Sequence, residues 1–276
     1  MATPKNQSVL KAFRMLKGFS GPDEWLTSCE LSRRANLPEA SGYRLIQTLE
    51  QIGAVVRGPK GRYRPGMLLV SLANNVAIGD LLRQASHEII TDVADRLDLT
   101  IHLGLLEDGM VTYIAKVCTP TSLSPHTRLG AQLEAYCSGL GKVLLAALPQ
   151  DQLDGFIMDG DLVALTPFTI TDRAVLRAEL VKVRAQGYAM DDREIRADMR
   201  CLAVPVHNAE GRVVAAMSAT DHAERMNEAR QTDVRIALQE AARALEYKVF
   251  PSGSVVLPPV PACLRPVHDM PYAAHA

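Results

Sequence analysis

LTSCELSRRANLPEASGYRLIQTLEQIGAVVRGPKGRYRP, residues 26–65, is the stretch that decides the fold of this chain. Thr27 and Glu30 form a T-x-x-E capping box, which predicts that a helix begins near Ser28. Asn36 breaks that helix. Pro38 suits the first turn of a second helix, because the N–H that proline lacks has no intrahelical partner there. The stretch therefore begins with two short helices joined by a tight turn.

The second helix leads into a basic hairpin. Gly53 ends the helix at a position that favours a left-handed residue. The apolar residues before it recur at helical spacing, which predicts one buried face: Leu45, Ile46, Leu49 and Ile52. Residues 54–57 are predicted to form a strand, residues 58–61 a turn and residues 62–64 a returning strand. Two helices and a two-stranded wing rich in Arg and Lys are typical of a winged helix-turn-helix.

A winged helix-turn-helix places its second helix in the major groove of DNA, with base-reading side chains near the start of that helix. Arginine and lysine on the wing would lie against phosphates. The candidate DNA-binding residues are Arg34, Ser41, Tyr43, Arg44, Gln47, Arg57, Lys60, Arg62 and Arg64. The alternative is a helical hairpin and a β-hairpin that carry ordinary solvated charges.

The distribution of charge favours the DNA-binding interpretation. Residues 1–66 carry eleven Lys and Arg against five Asp and Glu, a net charge of +6, whereas residues 67–276 carry nineteen against twenty-six, a net charge of −7. A basic module joined to an acidic one is typical of a nucleic-acid reader attached to a second domain. The charge difference alone would not establish the function.

The composition indicates a soluble globular protein of two domains or one large one, with 276 residues, 47% apolar and 22% charged. Its five cysteines are scattered without a C-x-x-C pair, so neither a zinc site nor a disulfide framework is supported, and we expect no cofactor. The odd count fits a reducing cytoplasm. The N-terminus lacks an apolar signal core and no run approaches a membrane span, so we expect a cytoplasmic protein that does not bind membranes.

The predicted organisation is a DNA-binding domain over residues 1–66, a linker helix over 67–79, a second domain over 80–250 and a flexible proline-rich tail over 251–276. An amphipathic helix over residues 7–19 would complete the first domain. Residues 67–78 are predicted to form a very apolar helix, which is either part of a dimer seam or packed onto its own domain. Asp80 is predicted to cap a long helix that runs to about Leu97.

The second domain alternates hairpins with helices. Strands over residues 100–106 and 110–117 flank an Asp108-Gly109 turn, and strands over residues 201–207 and 212–219 form another hairpin. Helices are predicted over residues 139–148, 150–158, 172–186 and 228–247. Strands paired in hairpins with helices inserted between them predict an α+β fold on a mainly antiparallel sheet.

Several residues of this second domain could bind a ligand. Gly139-Leu140-Gly141-Lys142 fails as a phosphate loop, but glycines at a helix start would let a small carboxylate approach backbone N–H groups; tight packing explains them equally well. Asp191 follows a predicted strand, so its carboxylate could face inward. Ser218 and Thr220 share one face of a strand, where their hydroxyls could bind a ligand or each other. Cys137 and Cys201 match no catalytic signature and fit buried apolar positions.

The chain from about residue 7 to 248 resembles regulators of the isocitrate lyase regulator (IclR) family. The matching stretches are LSRRANLPEASGYRLIQTLEQIGAVVR with the GRYRPG wing, then SGLGKVLLAAL, GYAMDDRE and CLAVPVHNAEGRVVAAMSAT. The resemblance implies a winged-helix domain, a linker helix used in dimerisation and a GAF-like effector-binding domain. Such proteins act as dimers or tetramers that bind double-stranded DNA operators and respond to small organic acids.

Carried over by motif, the family's effector pocket falls on Leu133, Gly139, Leu140, Asp191, Cys201, Ser218 and Thr220. The expected effector is an aromatic carboxylate or a short keto or hydroxy acid. An enzyme acting on the same acid, or a sensor that works through a protein partner without DNA, are the alternatives. This chain departs from the family pattern in two places, the recognition helix and the pocket. Glu39-Ala40 and Gly42 replace residues that are usually basic, polar or β-branched, and Leu140 is bulkier than the small residue often found there.

Overall fold

The computed structural model describes residues 5–21, 24–73, 75, 77–123, 125, 127–159 and 161–251. The chain forms two compact units, one up to residue 76 and the other from Ala77 to residue 252. Among the residues described, no helix is long and apolar enough to cross a membrane. The tail predicted over residues 251–276 lies outside the described residues except for Pro251.

The N-terminal unit is a three-helix core with a small antiparallel sheet, as the sequence predicts. Thr27 and Glu30 make the reciprocal hydrogen bonds of the capping box, which fixes where the second helix starts. Asn36 and Gly53 both have positive φ, at +52° and +79°, where the two helices end. The elements are α1 (Gln7–Lys17), β1 (Leu26–Thr27), α2 (Ser28–Arg34), α3 (Glu39–Gln51), β2 (Val55–Arg57), a 3₁₀ turn (Pro59–Gly61), β3 (Arg62–Pro65) and α4 (Met67–Ala73).

Gly42 lies where α2 and α3 cross. A Cβ at this position would come within 1.9 Å of Ser32 Oγ, and Ser32 itself is fully buried. The glycine therefore lets the two helices pack closely, and it is buried between them. Packing inside the domain explains why position 42 is a glycine. This glycine is therefore no evidence that the chain has lost DNA binding.

The linker helix differs from its predicted length. α4 ends at Ala73, and the next helix begins at Ile78 after Ala77, so the prediction of one helix over residues 67–78 is wrong. Leu68 and Leu69 pack against the N-terminal core, which supports the own-domain alternative for that face. The other face leaves apolar side chains exposed: Met67, Val70 and Leu72.

The C-terminal unit is a six-stranded sheet between two layers of helices. Its helices are α5 (Ile78–Leu97), α6 (Gly139–Ala146), α7 (Gln150–Asp159), α8 (Arg173–Gln186) and α9 (Glu228–Val249). Its strands are β4 (Thr100–Glu107), β5 (Met110–Val117), β6 (Gln132–Glu134), β7 (Ala189–Asp192), β8 (Met199–His207) and β9 (Val213–His222). The order in the sheet is β6-β5-β4-β9-β8-β7, and every neighbouring pair is antiparallel. The α+β prediction is confirmed.

The two faces of this sheet are chemically different. Residues such as Ile101, Leu202 and Ala219 face α5 and α9 and form an apolar core. The opposite face packs against α6, α7 and α8 and combines apolar with polar residues. Because side chains alternate along a strand, the polar residues of this second face are gathered beneath the start of α6.

Two local predictions are wrong in this unit. Asp80 does not cap α5: Ala77 occupies that position without a side-chain bond, and Asp80 lies in the first turn, where it accepts from Arg83 at 2.9 Å. An acidic side chain in the first turn still interacts favourably with the helix dipole. The second departure is strand β6, which the sequence does not predict.

Candidate DNA-binding and effector sites

The exposed face of α3 carries most of the predicted base-reading residues. Tyr43, Arg44 and Gln47 are exposed, and Ser41 is half-buried. Ile46 and Leu49 point to the core of the unit, so the helix presents one polar face. The structure thus places these four predicted residues on or beside a single surface, in the geometry that a recognition helix requires.

The wing is supported by Trp25, the single tryptophan of the chain. The Arg64 guanidinium lies 5.0 Å from the centroid of the Trp25 ring, and Arg62 Nη1 donates to the Trp25 carbonyl at 2.8 Å. A Cβ on Gly58 would come within 2.1 Å of that ring, so the turn rests directly on the indole. Arg57 and Lys60 are exposed on the same hairpin. The four wing cations are therefore presented by a packed platform.

Arg34 differs from the other predicted DNA contacts. Its guanidinium pairs with Glu24 at 2.7 Å and donates to the carbonyl of Gly18 at 2.9 Å and to Ser20 Oγ at 3.3 Å. These bonds join the end of α2 to the segment after α1. Its contacts in the structure are internal ones, and the sequence gives no signal of them.

All seven residues that the resemblance assigned to the pocket line one cavity of about 230 Å³ in the C-terminal unit. Strand register explains why they meet. Asp191 pairs with Cys201, and Cys201 pairs with Thr220, so these three side chains share a face across β7, β8 and β9. Ser218 lies two residues from Thr220 and pairs with His102 of β4 on that same face.

The start of α6 forms one wall of the cavity. The Ser138 side chain accepts from the N–H of Gly141 at 3.0 Å. The N–H groups of Gly139 and Leu140 lie in the first turn, where an α-helix offers them no intrahelical partner. A Cβ on Gly141 would come within 2.1 Å of the Ala135 carbonyl, and a Cβ on Gly139 within 3.2 Å of the Cys201 carbonyl. The packing explanation for these glycines is supported, and it is compatible with anion binding at the same N–H groups.

Asp191 is the most unusual group of the cavity. It is fully buried, its Oδ1 accepts from the N–H of Glu194 at 2.7 Å, and its Oδ2 has no hydrogen bond among the described residues. Burial raises the pKa of Asp191 to about 7; the nearby Glu194 carboxylate also raises it, while the N–H bond and Lys142 oppose the rise. Near neutral pH this carboxyl group can therefore either donate or accept a hydrogen bond.

A buried ion pair holds the segment between β7 and β8 against α6. Lys142 Nζ contacts the Glu194 carboxylate and donates to the Met190 carbonyl at 3.1 Å. The same segment is held from outside by Thr169, whose hydroxyl donates to the Glu194 carbonyl at 2.7 Å. Ile195 follows directly and lines the cavity. This segment forms a wall that the sequence does not predict.

The far end of the cavity is formed by residues that sequence reasoning missed. His102 Nε2 lies 2.8 Å from Thr127 Oγ1, and its ring centroid is 4.9 Å from that of Tyr113. Burial, with the Lys116 ammonium nearby, lowers the pKa of His102 to about 3, so its ring is neutral at physiological pH. The other missed lining residues include Ser138, Ile195, Arg196 and Met199. His102 could have been assigned to the cavity from its pairing with Ser218, but the register of two strands cannot be read from the sequence.

The buried thiols lack the properties of nucleophiles. Burial raises the pKa of Cys201 to about 11 and that of Cys137 to about 12, and the nearby Asp191 carboxylate adds to both shifts. A thiol of such pKa carries almost no thiolate at neutral pH. Among the described residues, no group of three or more His, Cys, Asp or Glu could hold a metal ion.

A larger groove of about 830 Å³ runs past the end of α6, but it contains none of the predicted pocket residues. Its Arg184 donates to the Ala146 and Leu148 carbonyls and so satisfies the end of that helix. The buried side-chain atoms without hydrogen bonds in the described chain are Arg14 Nε, Asp191 Oδ2, Glu194 Oε2 and Ser218 Oγ, and Asp191 and Ser218 line the smaller cavity. The smaller cavity is therefore the candidate ligand site.

Comparison with known proteins identifies both domains. The model of the IclR helix-turn-helix domain matches residues 8–59, and that of the C-terminal domain of bacterial IclR transcriptional regulators matches residues 77–247. The chain is 32% identical to the HTH-type transcriptional regulator XynR of Escherichia coli, over 88% of this chain and 96% of that protein.

Solved structures give the same result. Thermotoga maritima IclR is 29% identical, with a TM-score of 0.59 over 88% of this chain and 98% of that one. An IclR homologue from Microbacterium hydrocarbonoxydans, crystallised with 4-hydroxybenzoate, is 27% identical, with a TM-score of 0.59 over 88% of this chain and 99% of that one. The chain belongs to the IclR family of DNA-binding bacterial transcriptional regulators.

Proposed function

We propose that a small organic acid, bound in the 230 Å³ cavity, controls how this regulator binds its DNA operator. The observation that carries the proposal is a pair of buried polar atoms on residues that line this cavity, Asp191 Oδ2 and Ser218 Oγ, which have no hydrogen-bond partner among the described residues. Leaving such a group unpaired costs about 1–3 kcal/mol, and a ligand that pairs it recovers that energy.

The size of the cavity restricts the ligand. Pockets for drug-sized molecules measure roughly 300–1,000 Å³, so a cavity of about 230 Å³ fits a single ring or a short chain. An aromatic carboxylate or a short keto or hydroxy acid meets this limit. The homologue solved with 4-hydroxybenzoate supports the aromatic class.

The chemistry of the walls suggests an orientation. The ligand carboxylate would accept from the N–H groups of Gly139 and Leu140 at the positive end of the α6 dipole, with the hydroxyls of Ser218 and Thr220 as further donors. Asp191 would take a ligand hydroxyl, since it can accept or donate near neutral pH. Leu133 and Cys201 would contact the apolar body, and the bulky Leu140 side chain would limit how deeply it enters.

We further propose that the regulator binds a double-stranded operator through α3 and the wing as a homodimer or homotetramer. The exposed polar face of α3 and the wing cations support the DNA contact. The apolar side chains of Met67, Val70 and Leu72, exposed on α4, support an interface with a second copy. An oligomer would place two recognition helices on one operator.

Calorimetric titration tests the ligand proposal. Benzoate, 4-hydroxybenzoate, pyruvate and lactate would be titrated into wild type, Ser218→Ala and Asp191→Asn. Loss of a charge-assisted bond of about 1.5–3 kcal/mol predicts at least tenfold weaker binding of the best acid to Ser218→Ala, with unchanged operator affinity in the absence of acid. Asp191→Asn should weaken 4-hydroxybenzoate more than benzoate. Wild-type affinity in both variants would show that the ligand binds elsewhere.

A gel shift against the DNA upstream of the protein's own gene separates this function from a sensor that works through a protein partner. The regulator should shift that DNA, and addition of the effector should change the shift. A sensor without DNA binding would leave the DNA unshifted at every concentration of protein and acid.

A further inference from the structure

The exposed face at the start of α3 includes an anionic side chain. Glu39 is the first residue of the helix, and it is exposed on the same side as Tyr43, Arg44 and Gln47. The first residues of a recognition helix are those that reach base edges. A carboxylate at this position is repelled by phosphates, so it needs a specific donor on the DNA to be compatible with tight binding.

The Glu39 carboxylate is linked to α2 through Cys29. The Cys29 thiol, in the first turn of α2, donates to Glu39 Oε1 across a distance of 2.9 Å. Arg33 Nη2 lies 3.8 Å from Cys29 Sγ and completes a short chain of contacts from α2 to α3. The hydrogen bond to Glu39 is the largest of the influences that raise the pKa of Cys29, so the group remains a thiol and keeps its proton available to donate.

The second carboxylate oxygen remains available. Glu39 Oε2 accepts no hydrogen bond from any described residue, and the capping position before it is Pro38, which makes no side-chain cap. The carboxylate therefore does not serve to cap its own helix. One oxygen accepts the bond from Cys29, and the other belongs to a side chain that is exposed at the start of α3.

The major groove offers this oxygen few complementary groups. Guanine presents only acceptors there, and thymine presents an acceptor and a methyl group. Adenine presents the N6 amino donor beside the N7 acceptor, and that acceptor would repel a carboxylate. Cytosine presents the N4 amino donor without a neighbouring acceptor. A carboxylate with one free oxygen is thus best matched by cytosine.

We propose that Glu39 reads a cytosine in each operator half-site through Oε2, and that Cys29 is the positioning residue that holds Oε1. The proposal rests on the binding of DNA by α3, and it assigns a specificity-determining role to the acidic residue that begins this helix. It predicts a strict base preference at one position and no general gain in affinity.

Selection from a pool of randomised DNA duplexes tests this role. Wild type should select sequences with one cytosine column per half-site, next to the column that Arg44→Ala disturbs. Glu39→Gln should lose the preference for cytosine by about tenfold or more and shift it towards adenine, whose N6 and N7 match an amide. Glu50→Gln, in the last turn of the same helix, is the matched control and should leave every column unchanged.

Cys29 is tested in the same selection. Cys29→Ala should weaken the preference in the cytosine column alone, and Cys29→Ser should restore it, because a hydroxyl can donate to Oε1 as the thiol does. Equal melting temperatures of the three proteins would show that the fold is intact. A general loss of stability without a change in base preference would overturn the positioning role.

Two other results would overturn the assignment of Glu39. If Glu39→Gln bound every duplex more tightly with the same consensus, Glu39 would only repel phosphate. If the consensus and the affinity both stayed unchanged, Glu39 would not contact the DNA. Failure of wild type to select any sequence would refute DNA recognition itself, and is therefore distinguishable from failure of this proposal.

Discussion

Asp191→Asn should change how the stability of the C-terminal unit depends on pH. The pKa of Asp191 is about 7 in the folded chain against an ordinary value of 3.8. Between these values the folded chain holds a proton that the unfolded chain has released, so stability falls as the pH rises from about 4 to about 7. At about 1.36 kcal/mol for each of roughly three pH units, the total loss is on the order of 4 kcal/mol.

The Asp191→Asn variant should not lose stability in this way as the pH rises. Asn is uncharged at every pH, and its Oδ1 can still accept the N–H of Glu194, which lies 2.7 Å from Asp191 Oδ1 in the wild type. Its amide NH₂ replaces the unpartnered Oδ2, at a cost of about 1–3 kcal/mol that does not depend on pH. The free energy of unfolding of the variant relative to wild type should therefore rise by about 2–3 kcal/mol between pH 5 and pH 8.

Urea unfolding at pH 5, 6, 7 and 8, followed by far-UV circular dichroism, measures this difference. The fluorescence of Trp25 follows the N-terminal unit and should give the same transition for both proteins. Asp192→Asn is the control: burial alone would raise the pKa of Asp192, but hydrogen bonds from Arg200 and Arg193 outweigh it and lower the pKa. The effect of that control should not change between pH 5 and pH 8. An equally constant difference for Asp191→Asn would refute the raised pKa.

Three further changes test other parts of the structure. Gly42→Ala should destabilise the N-terminal unit by about 1–3 kcal/mol in thermal unfolding because its Cβ meets Ser32; the same change should cost less in a Ser32→Gly background, and an equal cost in both backgrounds would refute the contact. Val70→Glu with Leu72→Glu should lower the molar mass measured by light scattering and weaken operator binding if exposed α4 residues form the interface; an unchanged mass would place the interface elsewhere. Lys60→Ala should weaken all duplexes alike and reduce the slope of log K against log salt by about 1, whereas a change in consensus would show base contact.

Local chemistry made much of the fold predictable. Thr27 and Glu30 fix the start of α2 through bonds only three residues apart, and Asp108-Gly109, both with positive φ, fix the turn between β4 and β5. Gly187, with a φ of +74°, ends α8 at the predicted residue. Each of these signals lies within a few neighbouring residues, so it can be read without knowledge of the rest of the chain.

The parts that could not be predicted depend on contacts between distant segments. Strand β6 has only three residues and exists because it pairs with β5 across a loop. His102 belongs to the cavity because β4 pairs with β9 in a particular register. The closeness of Gly42 to Ser32 follows from a helix crossing, which no local pattern reports. The pocket residues themselves were found through resemblance to a family, since their residue types alone left packing as an equal explanation.

The close packing of Gly139 and Gly141 has a consequence for how such regulators diversify. A side chain at Gly141 would collide with Ala135, and one at Gly139 would press closely on Cys201, so tight packing and the free N–H groups of Gly139 and Leu140 occur in the same turn of α6. We therefore expect substitution of Gly141 to be poorly tolerated, because its neighbours are backbone atoms that cannot easily move. The side chains of the surrounding walls, such as Leu133 and Leu140, are under less constraint. A regulator of this kind could therefore come to respond to a different acid by exchanging a few wall residues while the start of α6 stays the same.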